Sequence, residues 1–403
     1  MDCGRDRMRM DRLSVLPDDL ILKILSFVGL KDAILTSVLS SRWRFIWTSV
    51  PHLSFSSDDF STMDKFSDSV TRVLSRRNNQ LHLSSFSLCF RGKDDVGVAQ
   101  TIMNRVFSLN VQQLNVTCLF GNFTSCVFDN YTGFPLSLSW YQNHKHIRVS
   151  IGSGYVYIIP TPTRPFSSLT TLNLYTVTLY DGFLSMCPNL KNLNLNRCNM
   201  LGSGVFKLFR ICHPGLSNLT FTSRNFTGLV VHVVTPQLKY LSVSELLSKI
   251  QISAPELVSL RFKGRCPRMF VTSDFPSLEK AHLAVYFISS LAAPRIISLL
   301  QKFHNVKVLS LSMDIIELLN SSVELISHEP SPFANLKSLK ILPFWGCPSK
   351  KVIMSVEVKN YLLNSSPNAT LTEVNLYMGK LQKCQLTNHV FEFVTLLGLW
   401  TDL

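Results

Sequence analysis

The stretch from Leu13 to Trp47 carries apolar residues at the spacing of short amphipathic helices. Pro17 suits the first position of a helix, and Asp18 and Asp19 favour the positive end of its dipole. Three helical segments are predicted. The first ends before Gly29 and has the apolar residues Leu20, Ile21, Ile24 and Leu25; the second starts near Asp32 and has Ile34, Leu35, Val38 and Leu39. The third follows the N-cap candidates Ser40 and Ser41 and has Trp43, Ile46 and Trp47. A domain this small cannot bury all of these side chains, so the pattern predicts a partner site.

Beyond residue 165 a second pattern recurs, in which proline stands two residues before a Leu-x-x-Leu-x-Leu core. Regular units begin at Pro188, Pro214, Pro236, Pro255 and Pro276, and weaker ones at Leu83, Val111, Leu169, Val306, Leu336 and Leu371. Each unit predicts a short strand, followed by a helical or irregular return segment. Proline cannot donate a ladder hydrogen bond, so it belongs just outside the strand. Stacked units bury their leucines in one shared core.

The same alternation predicts which side chains of each repeat face outward. If the first, fourth and sixth positions point into the core, the third, fifth and seventh lie on the concave face of the sheet. The candidate target-binding residues on this face are Asn192, Asn194, Asn196, Tyr175, Tyr240, Arg261, Lys263 and Lys280, and His282 shares the face with Lys280. Amides and tyrosines suit hydrogen bonding to a peptide, whereas the basic residues suit an acidic group. A solvated polar face without a ligand is the alternative.

Composition limits the classes of function. Of the 403 residues, 46% are hydrophobic and only 16% are charged, which indicates a well-buried protein with a small domain and a larger one or an elongated array. No apolar run is long enough to span a membrane, and the charged N-terminus lacks a signal core. The expected location is therefore the nucleus or the cytoplasm. The net charge of +14 is spread along the chain without a nucleic-acid-binding signature, so no specific nucleic acid is expected.

No catalytic constellation stands out in the sequence. His144 and His146 form an isolated His-x-His without an acidic partner at metal-ligand spacing, and no glycine-rich loop is suited to cradle a phosphate. The cysteines form no Cys-x-x-Cys pair, so they are interpreted as small buried apolar residues. We therefore expect no catalytic residue, no metal site and no cofactor.

The N-terminal motifs resemble the F-box of plant F-box/leucine-rich-repeat proteins. The residues that carry the resemblance are Leu16 to Leu20, Ile24-Leu25, Lys31-Asp32, Val38 to Ser40 and Arg42 to Arg44. Gly29 departs from the family, which usually has proline there, and this loosens the turn. The later units resemble leucine-rich repeats. The fold class that follows is α/β, a three-helix F-box before a leucine-rich-repeat solenoid of short parallel strands.

The resemblance and the patterns together predict five segments of the chain. Residues 11–55 form the F-box, and residues 56–80 are a connecting helix or linker with Phe66, Val70, Val73 and Leu74 on one face. Degraded repeats occupy residues 81–165 and regular repeats residues 166–330. Residues 331–403 are irregular repeats that weakly resemble the C-terminal module of plant F-box proteins.

What the resemblance implies is the substrate-recruiting subunit of an SCF-type ubiquitin ligase. The F-box would bind the Skp-family adaptor, and through it cullin and RING subunits, while the repeats would bind an unknown protein substrate. The residues expected at the adaptor interface, or supporting it, are Leu16, Pro17, Leu20, Ile24, Leu25, Leu35, Val38, Leu39 and Trp43. Two alternatives stay open, namely a repeat module that binds proteins outside a ligase and a repeat receptor for a small anionic ligand.

Overall fold

The architecture was obtained from a computed structural model of the chain. It describes residues 15–77, 83–91, 101–102, 106, 111–119, 145–151, 156–158, 167–201, 208–222, 229–245, 249–265, 268–271, 274–286, 288–343 and 352–373. Within these ranges, every helix is too short or too polar to cross a membrane. The chain divides into two compact units, Met1–Thr178 with Ser185–Leu190, and Leu179–Leu184 with Lys191–Leu403.

The first unit begins with two short helices, α1 (Asp18–Leu25) and α2 (Leu30–Leu35). Asp18 and Asp19 lie in the first turn of α1 and Lys23 lies in its last turn, so all three charges favour the helix dipole. Pro17 occupies the N-cap of α1, one residue earlier than predicted, and its carbonyl oxygen accepts the first helical hydrogen bonds. The two predicted helices are therefore present, and each has a buried side that includes Ile21 in α1 and Ala33 in α2.

The third predicted helix, around Trp43 to Trp47, is present only as turns and a short 3₁₀ helix. Ser40 Oγ does accept a hydrogen bond from the Trp43 amide at 3.4 Å, as an N-cap would. However, residues 41–45 form consecutive turns, and only Ile46–Ser49 completes a short 3₁₀ helix. Aromatic and β-branched residues, which lose side-chain freedom in a helix, make up much of this segment, and Pro51 follows it. Trp43 and Trp47 are both buried, and three-residue backbone hydrogen bonds, such as that from the Thr48 amide to the Phe45 carbonyl at 3.0 Å, hold the segment.

A parallel sheet and one long helix complete the first unit. In strand order the sheet contains β1 (His52–Ser56), β2 (Leu83–Arg91), β3 (Val111–Leu119), β4 (His146–Ile151) and β6 (Thr171–Tyr175), with β5 (Val156–Ile158) outside it. Helix α3 (Met63–Arg76) follows β1 and is capped by Thr62, whose hydroxyl accepts from the Lys65 amide at 3.3 Å. The amphipathic helix expected in this segment is thus present, with all four of its predicted apolar residues buried. Strand β1 was not predicted.

The second unit has the same parallel pairing over a longer series of strands. Its main sheet runs in the order β8 (Asn192–Asn196), β11 (Asn218–Thr222), β13 (Tyr240–Ser244), β15 (Ser259–Arg265), β17 (Lys280–Tyr286), β18 (Val308–Ser312), β19 (Ser338–Leu342) and β20 (Thr370–Glu373). The inward positions of the five regular repeats are all buried, as the alternation predicted. In one of the weaker units, by contrast, Leu371 of β20 is 44% exposed. The fold is that of a leucine-rich-repeat solenoid of short parallel strands.

The recurring proline occupies the second position of a tight turn before each strand. The amide of Leu238 donates to the carbonyl of Thr235 at 3.1 Å, and the amide of Leu257 donates to the carbonyl of Ala254 at 3.2 Å, so that Pro236 and Pro255 each stand at position i+1. Proline is favoured there because its ring presets the backbone angle of the turn. The spacing of proline and leucine thus encodes both a turn and the buried residue that ends it.

The return segments differ between the middle and the C-terminal part of the repeats. Four of them are strands that form a second parallel sheet, namely β10 (Leu208–Cys212), β12 (Val230–Val234), β14 (Lys249–Ser253) and β16 (Arg268–Val271). This differs from the expected helical or irregular returns, because β-branched residues alternate with polar ones here and favour strands. Short strands β7 (Val177–Tyr180) and β9 (Asn199–Leu201) occur earlier in the chain. Later returns are helical: α4 (Ala293–Leu300), α5 (Met313–Asn320), α6 (Val323–Ser327) and α7 (Val356–Leu363).

Candidate functional site

Helix α1 has apolar residues on two adjoining sides, about 100° apart around its axis, and only one of these sides is covered. Ile21 and Leu25 are buried at 0% and 1% exposure, which accounts for the core-facing side. Leu20 and Ile24, one turn apart, are 48% and 42% exposed. A helix on the surface of a domain ordinarily has charged and polar residues on its outer face. Helix α1 instead presents an apolar stripe to its surroundings.

Further exposed apolar residues follow α1 in the chain. Leu35 at the end of α2 and Val38 and Leu39 in the following 3₁₀ turn are also exposed, with Val38 reaching 83%. Of the nine residues predicted for the adaptor interface or its support, Pro17 is exposed, Leu16 is half-buried, and Leu25 and Trp43 are buried. The two buried residues have no accessible side chain to offer a partner, so support from below is the role that their positions allow.

Sequence reasoning passed over four exposed apolar residues of the same region, Val15, Phe27, Val28 and Phe45. Phe27 is 80% exposed just after α1, and Phe45 is 66% exposed with the Arg44 guanidinium 5.5 Å from its ring centre. The sequence could have predicted the position of Phe27, because Phe27 continues the stripe of Leu20 and Ile24 at helical spacing. We call this set, Leu20, Ile24, Phe27, Val28, Leu35, Val38, Leu39 and Phe45, the N-terminal apolar surface.

Polar contacts hold the turns beneath this surface. The Arg42 guanidinium donates from Nε and Nη2 to Asp18 Oδ1 at 3.1 and 2.6 Å, which joins the turn after α2 to the start of α1. Because both side chains are well exposed to solvent, the pair contributes only about 0.2–1 kcal/mol to stability. A stronger anchor is the buried side chain of Arg77, which donates from Nη1 to the carbonyl of Val50 at 2.6 Å. Burial lowers the pKa of Arg77 from its ordinary value.

Gly29 stands at the N-cap of α2, in the turn between the two helices. Its φ and ψ of −62° and 154° are open to any residue, and a Cβ added there would meet Asp32 Oδ2 at 3.8 Å, an ordinary contact. The angle also matches the φ that a proline ring imposes. The folded turn therefore has a backbone conformation that proline could also adopt. Glycine differs from proline here mainly in the greater conformational freedom that it gives the unfolded chain.

A second candidate surface is the outward face of the main sheet in the second unit. Strand register aligns Asn192, Asn218, Tyr240, Ser259 and Lys280 in one row across the sheet. The next row contains Asn194, Thr220, Ser242, Arg261, His282, Ser310 and Lys340. A third contains Asn196, Thr222, Ser244, Lys263, Ala284, Ser312 and Leu342. Tyr175, the remaining predicted residue, lies at the end of β6 in the first unit.

This face changes from neutral to basic along the sheet. Strands β8, β11 and β13 present amides, hydroxyls and Tyr240, and a hydrogen bond joins the Asn218 and Asn192 side chains. Strands β15, β17 and β19 present basic residues, of which Lys340 was not predicted because the outward positions of its repeat were not considered. We call Arg261, Lys263, Lys280, His282 and Lys340 the basic patch.

Burial and mutual repulsion shift the pKa values within the basic patch. Burial of His282, aided by the charges of Arg261, Lys263 and Lys340, lowers its pKa from 6.5 to about 4, so the imidazole is neutral at pH 7. Burial also lowers the pKa of Lys263, against the opposing effect of Glu245. The Glu245 carboxylate accepts a hydrogen bond from the hydroxyl of Tyr286, whose strand is β17. The patch is therefore positive at neutral pH, with one neutral imidazole at its centre.

Comparison with known proteins connects both surfaces to one kind of chain. Residues 13–55 match the family model of the F-box domain. An F-box/LRR-repeat protein of Arabidopsis thaliana is 34% identical over 269 residues, which are 62% of this chain and 80% of that protein. A putative F-box/LRR-repeat protein of the same plant is 28% identical over 379 residues, 91% of this chain and 80% of the relative. An F-box/FBD/LRR-repeat protein, also from Arabidopsis thaliana, is 34% identical over 234 residues, and the match spans about half of its length, 51%.

Proposed function

Because this chain belongs to the plant F-box/leucine-rich-repeat family, we propose that it is the substrate-recruiting subunit of an SCF-type ubiquitin ligase. The N-terminal apolar surface binds the Skp-family adaptor, which connects the chain to cullin and RING subunits. The outward face of the repeats binds the protein to be ubiquitinated. No bond is made or broken by the side chains of this chain.

The observation that carries the proposal is the exposure of the N-terminal apolar surface. Its side chains are between 42% and 83% exposed, so the described chain leaves a large apolar area of each open to a partner. Burying apolar area against a partner is favourable by about 25 cal/mol per Å², so covering these side chains supplies most of the free energy of adaptor binding. Large exposed apolar patches on soluble proteins commonly mark such interaction sites.

The structure beneath the surface supports this role. Ile21, Leu25, Trp43 and Trp47 pack below it, so the exposed side chains are presented by a fixed backbone and the adaptor need not order them. Arg77 ties the end of this region to α3 through the Val50 carbonyl. A preformed surface loses little conformational entropy on association, which favours tight binding by a small domain.

Ubiquitination then follows from proximity. A target held on the repeats, while the F-box is held by the adaptor, keeps its lysines near the thioester of a charged conjugating enzyme. Such tethering converts a bimolecular encounter into an effectively intramolecular one and raises the effective concentration of the lysine. The proposed activity therefore requires two binding surfaces and no catalytic side chain.

The test measures adaptor binding by paired leucine variants. Leu20→Ala with Leu39→Ala removes two exposed side chains of the N-terminal apolar surface, and we expect a loss of about 2 kcal/mol per side chain. Isothermal titration calorimetry against a purified Skp-family adaptor measures this loss. The matched control is Leu291→Ala with Leu325→Ala, two exposed leucines of the second unit, which should bind the adaptor at wild-type strength. Equal affinity of both double variants for the adaptor would contradict the proposal.

A further inference from the structure

The basic patch is compact, because strand pairing brings its members together from three different repeats. Arg261 is the direct register partner of His282, and neighbouring strands lie about 5 Å apart. Lys340 stands in the same row, with Ser310 between it and His282. Lys263 and Lys280 lie one outward position away, on the strands of Arg261 and His282 respectively. The five basic residues thus occupy one face over four adjacent strands.

Small side chains fill the space between these basic residues. Ser310 and Ala284 adjoin His282, and Ser312 lies beyond Ala284 in the third row. Ser310 and Ser312 are only 7% and 4% exposed, although they occupy outward positions of the strand alternation. The hydroxyl of Ser312 is turned down to the carbonyl of Val285 at 2.5 Å. The sheet therefore offers a floor of small residues edged by long cationic ones.

The positive charges of the basic patch are not neutralised by carboxylates at the outward positions of the same strands. None of the outward positions on β15, β17, β18 and β19 carries a carboxylate. Within the described residues, Arg261, Lys280 and Lys340 form no ion pair. Two carboxylates lie near the patch: Glu245 acts on Lys263, and Glu279, which is paired with Lys307, also interacts with the charge of Lys280. Like charges held together raise the free energy of the unbound face, and an anionic partner relieves that repulsion.

The extent of the patch favours a peptide over a nucleic acid. Positive side chains are absent from the outward positions of β8, β11 and β13, where amides, hydroxyls and Tyr240 replace them. Binding of a nucleic-acid strand uses a longer cationic track with aromatic platforms for the bases. Amides and hydroxyls beside a short cationic region instead suit a peptide, whose backbone needs donors and acceptors next to the contacts of its acidic side chains.

Resting on the proposed function, we propose that the basic patch recognises an acidic segment of the target protein. Carboxylates of Asp or Glu side chains contact Arg261, Lys280 and Lys340 from above the floor of small residues. Arg261 can engage one carboxylate through two parallel N–H donors, whereas Lys280 and Lys340 act as point charges. The neutral His282 imidazole can donate one N–H at the centre, and a bound carboxylate there opposes the burial and repulsion that keep its pKa low.

The experiment uses the full chain in complex with its Skp-family adaptor. The probe is a fluorescein-labelled Gly/Ser peptide that carries several glutamates, and the reference peptide has glutamine at each of those positions. Fluorescence anisotropy measures both, and we expect the glutamate peptide to bind at least about ten-fold more tightly. Equal binding of the two peptides would overturn the inference, as would tighter binding of a labelled oligothymidine than of the glutamate peptide.

Matched variants separate the patch from the general positive charge of the chain. Arg261→Gln with Lys340→Gln should abolish the preference for glutamate. Arg295→Gln with Lys359→Gln removes the same charge from exposed positions on α4 and α7 and should retain the preference. Arg261→Glu with Lys340→Glu should prefer a lysine peptide, which shows that a loss of binding does not come from misfolding. If the Arg295/Lys359 pair lost as much preference as the Arg261/Lys340 pair, the assignment to the patch would be wrong.

The two proposals fail in different measurements. Adaptor binding is measured on the same samples by co-elution in size-exclusion chromatography. Loss of the glutamate preference with the adaptor still bound counts against the basic patch alone. If the wild-type chain does not co-elute with the adaptor, anisotropy is measured on the chain alone, and a retained preference for glutamate then counts against the ligase assignment alone.

Discussion

Leucines in the F-box and leucines in the repeats differ in their exposure to solvent. Leu20 and Leu39 are 48% and 56% exposed, whereas Leu219 and Leu241 at equivalent strand positions of successive repeats are 1% and 2% exposed. In the repeats, the next unit of the same chain covers each leucine, which is the nearest-neighbour stabilisation of solenoids. In the F-box, the helices are too short to cover one another. The exposure of Leu20 and Leu39 therefore shows that no other part of the described chain covers these two side chains as the next repeat covers Leu219 and Leu241.

The same contrast holds for how each region fixes its backbone. The repeat strands are held by backbone ladders in parallel register, and their outward side chains are left to vary from amide to cation. The F-box turns are held by individual side chains, such as the Arg42 bond to Asp18 and the buried Trp43. Outward positions on the sheet can therefore change with little effect on the fold, whereas buried side chains of the F-box such as Trp43 cannot.

The largest effect expected from this contrast is on stability. Leu241→Ala leaves a cavity in the shared core, so we expect the free energy of unfolding to fall by about 3 kcal/mol. Val38→Ala removes a side chain that is 83% exposed and should change that free energy by less than about 0.5 kcal/mol. Urea unfolding followed by circular dichroism measures both. Similar losses for the two variants would show that the F-box surface is covered by this chain after all.

A smaller, pH-dependent change in the free energy of unfolding is expected from His282 in the basic patch. The folded-state pKa of His282 is about 4 and its unfolded value is about 6.5, so the unfolded chain binds the proton first as the pH falls. Stability from this group is therefore complete above pH 6.5 and is lost between pH 6.5 and pH 4. Arg261, Lys263 and Lys340 face the ring and add to the shift. Allowing for partial exposure, we expect a loss of about 2 kcal/mol.

The control for this pH effect is His282→Gln. The variant keeps a polar side chain at the same outward position but has no proton to bind over this range. The difference in urea midpoint between wild type and variant, measured at several pH values from 7 to 4, isolates the contribution of His282 from that of the carboxylates. Parallel curves for the two proteins would refute the assignment.

The smallest effect concerns Gly29. Because its φ of −62° already suits proline, Gly29→Pro should stabilise the F-box by about 0.4–1 kcal/mol through lower entropy of the unfolded chain. Gly182→Ala provides the opposite case, since Gly182 has a φ of +85° and a side chain there is strained. Melting temperatures from differential scanning calorimetry should rise for the first variant and fall for the second. A fall for Gly29→Pro would mean that the turn needs the glycine.

Sequence reasoning recovered the features that depend on local periodicity. The inward positions from Leu190 to Leu283 and the four buried residues of α3 follow from alternation of two and of 3.6 residues, which any reader of the chain can count. Helices α1 and α2 follow for the same reason. The family assignment also rested on local spacing, and the comparisons confirm it.

Features that depend on distant pairing were missed. Strand β1 has only Leu53 and Phe55 as its signal, and its ladder exists because β2 comes alongside. The second sheet of return strands likewise depends on repeats stacking at a common register. Lys340 joins the basic patch only through β18, which lies between it and His282. The exact segment boundaries, the adaptor-binding residues and the target-binding residues stay predictions.

Strand β1 also has a consequence for the order in which the chain is made. Its parallel partner is β2, in which Phe86 pairs with Leu53. Because β2 follows α3 in the chain, β2 leaves the ribosome only after α3 has been synthesised. At ordinary elongation rates this interval is a few seconds, during which β1 is an unpaired strand edge next to the exposed leucines of the F-box. An unpaired strand and exposed apolar side chains favour aggregation, so chaperone binding during this interval would protect the nascent chain.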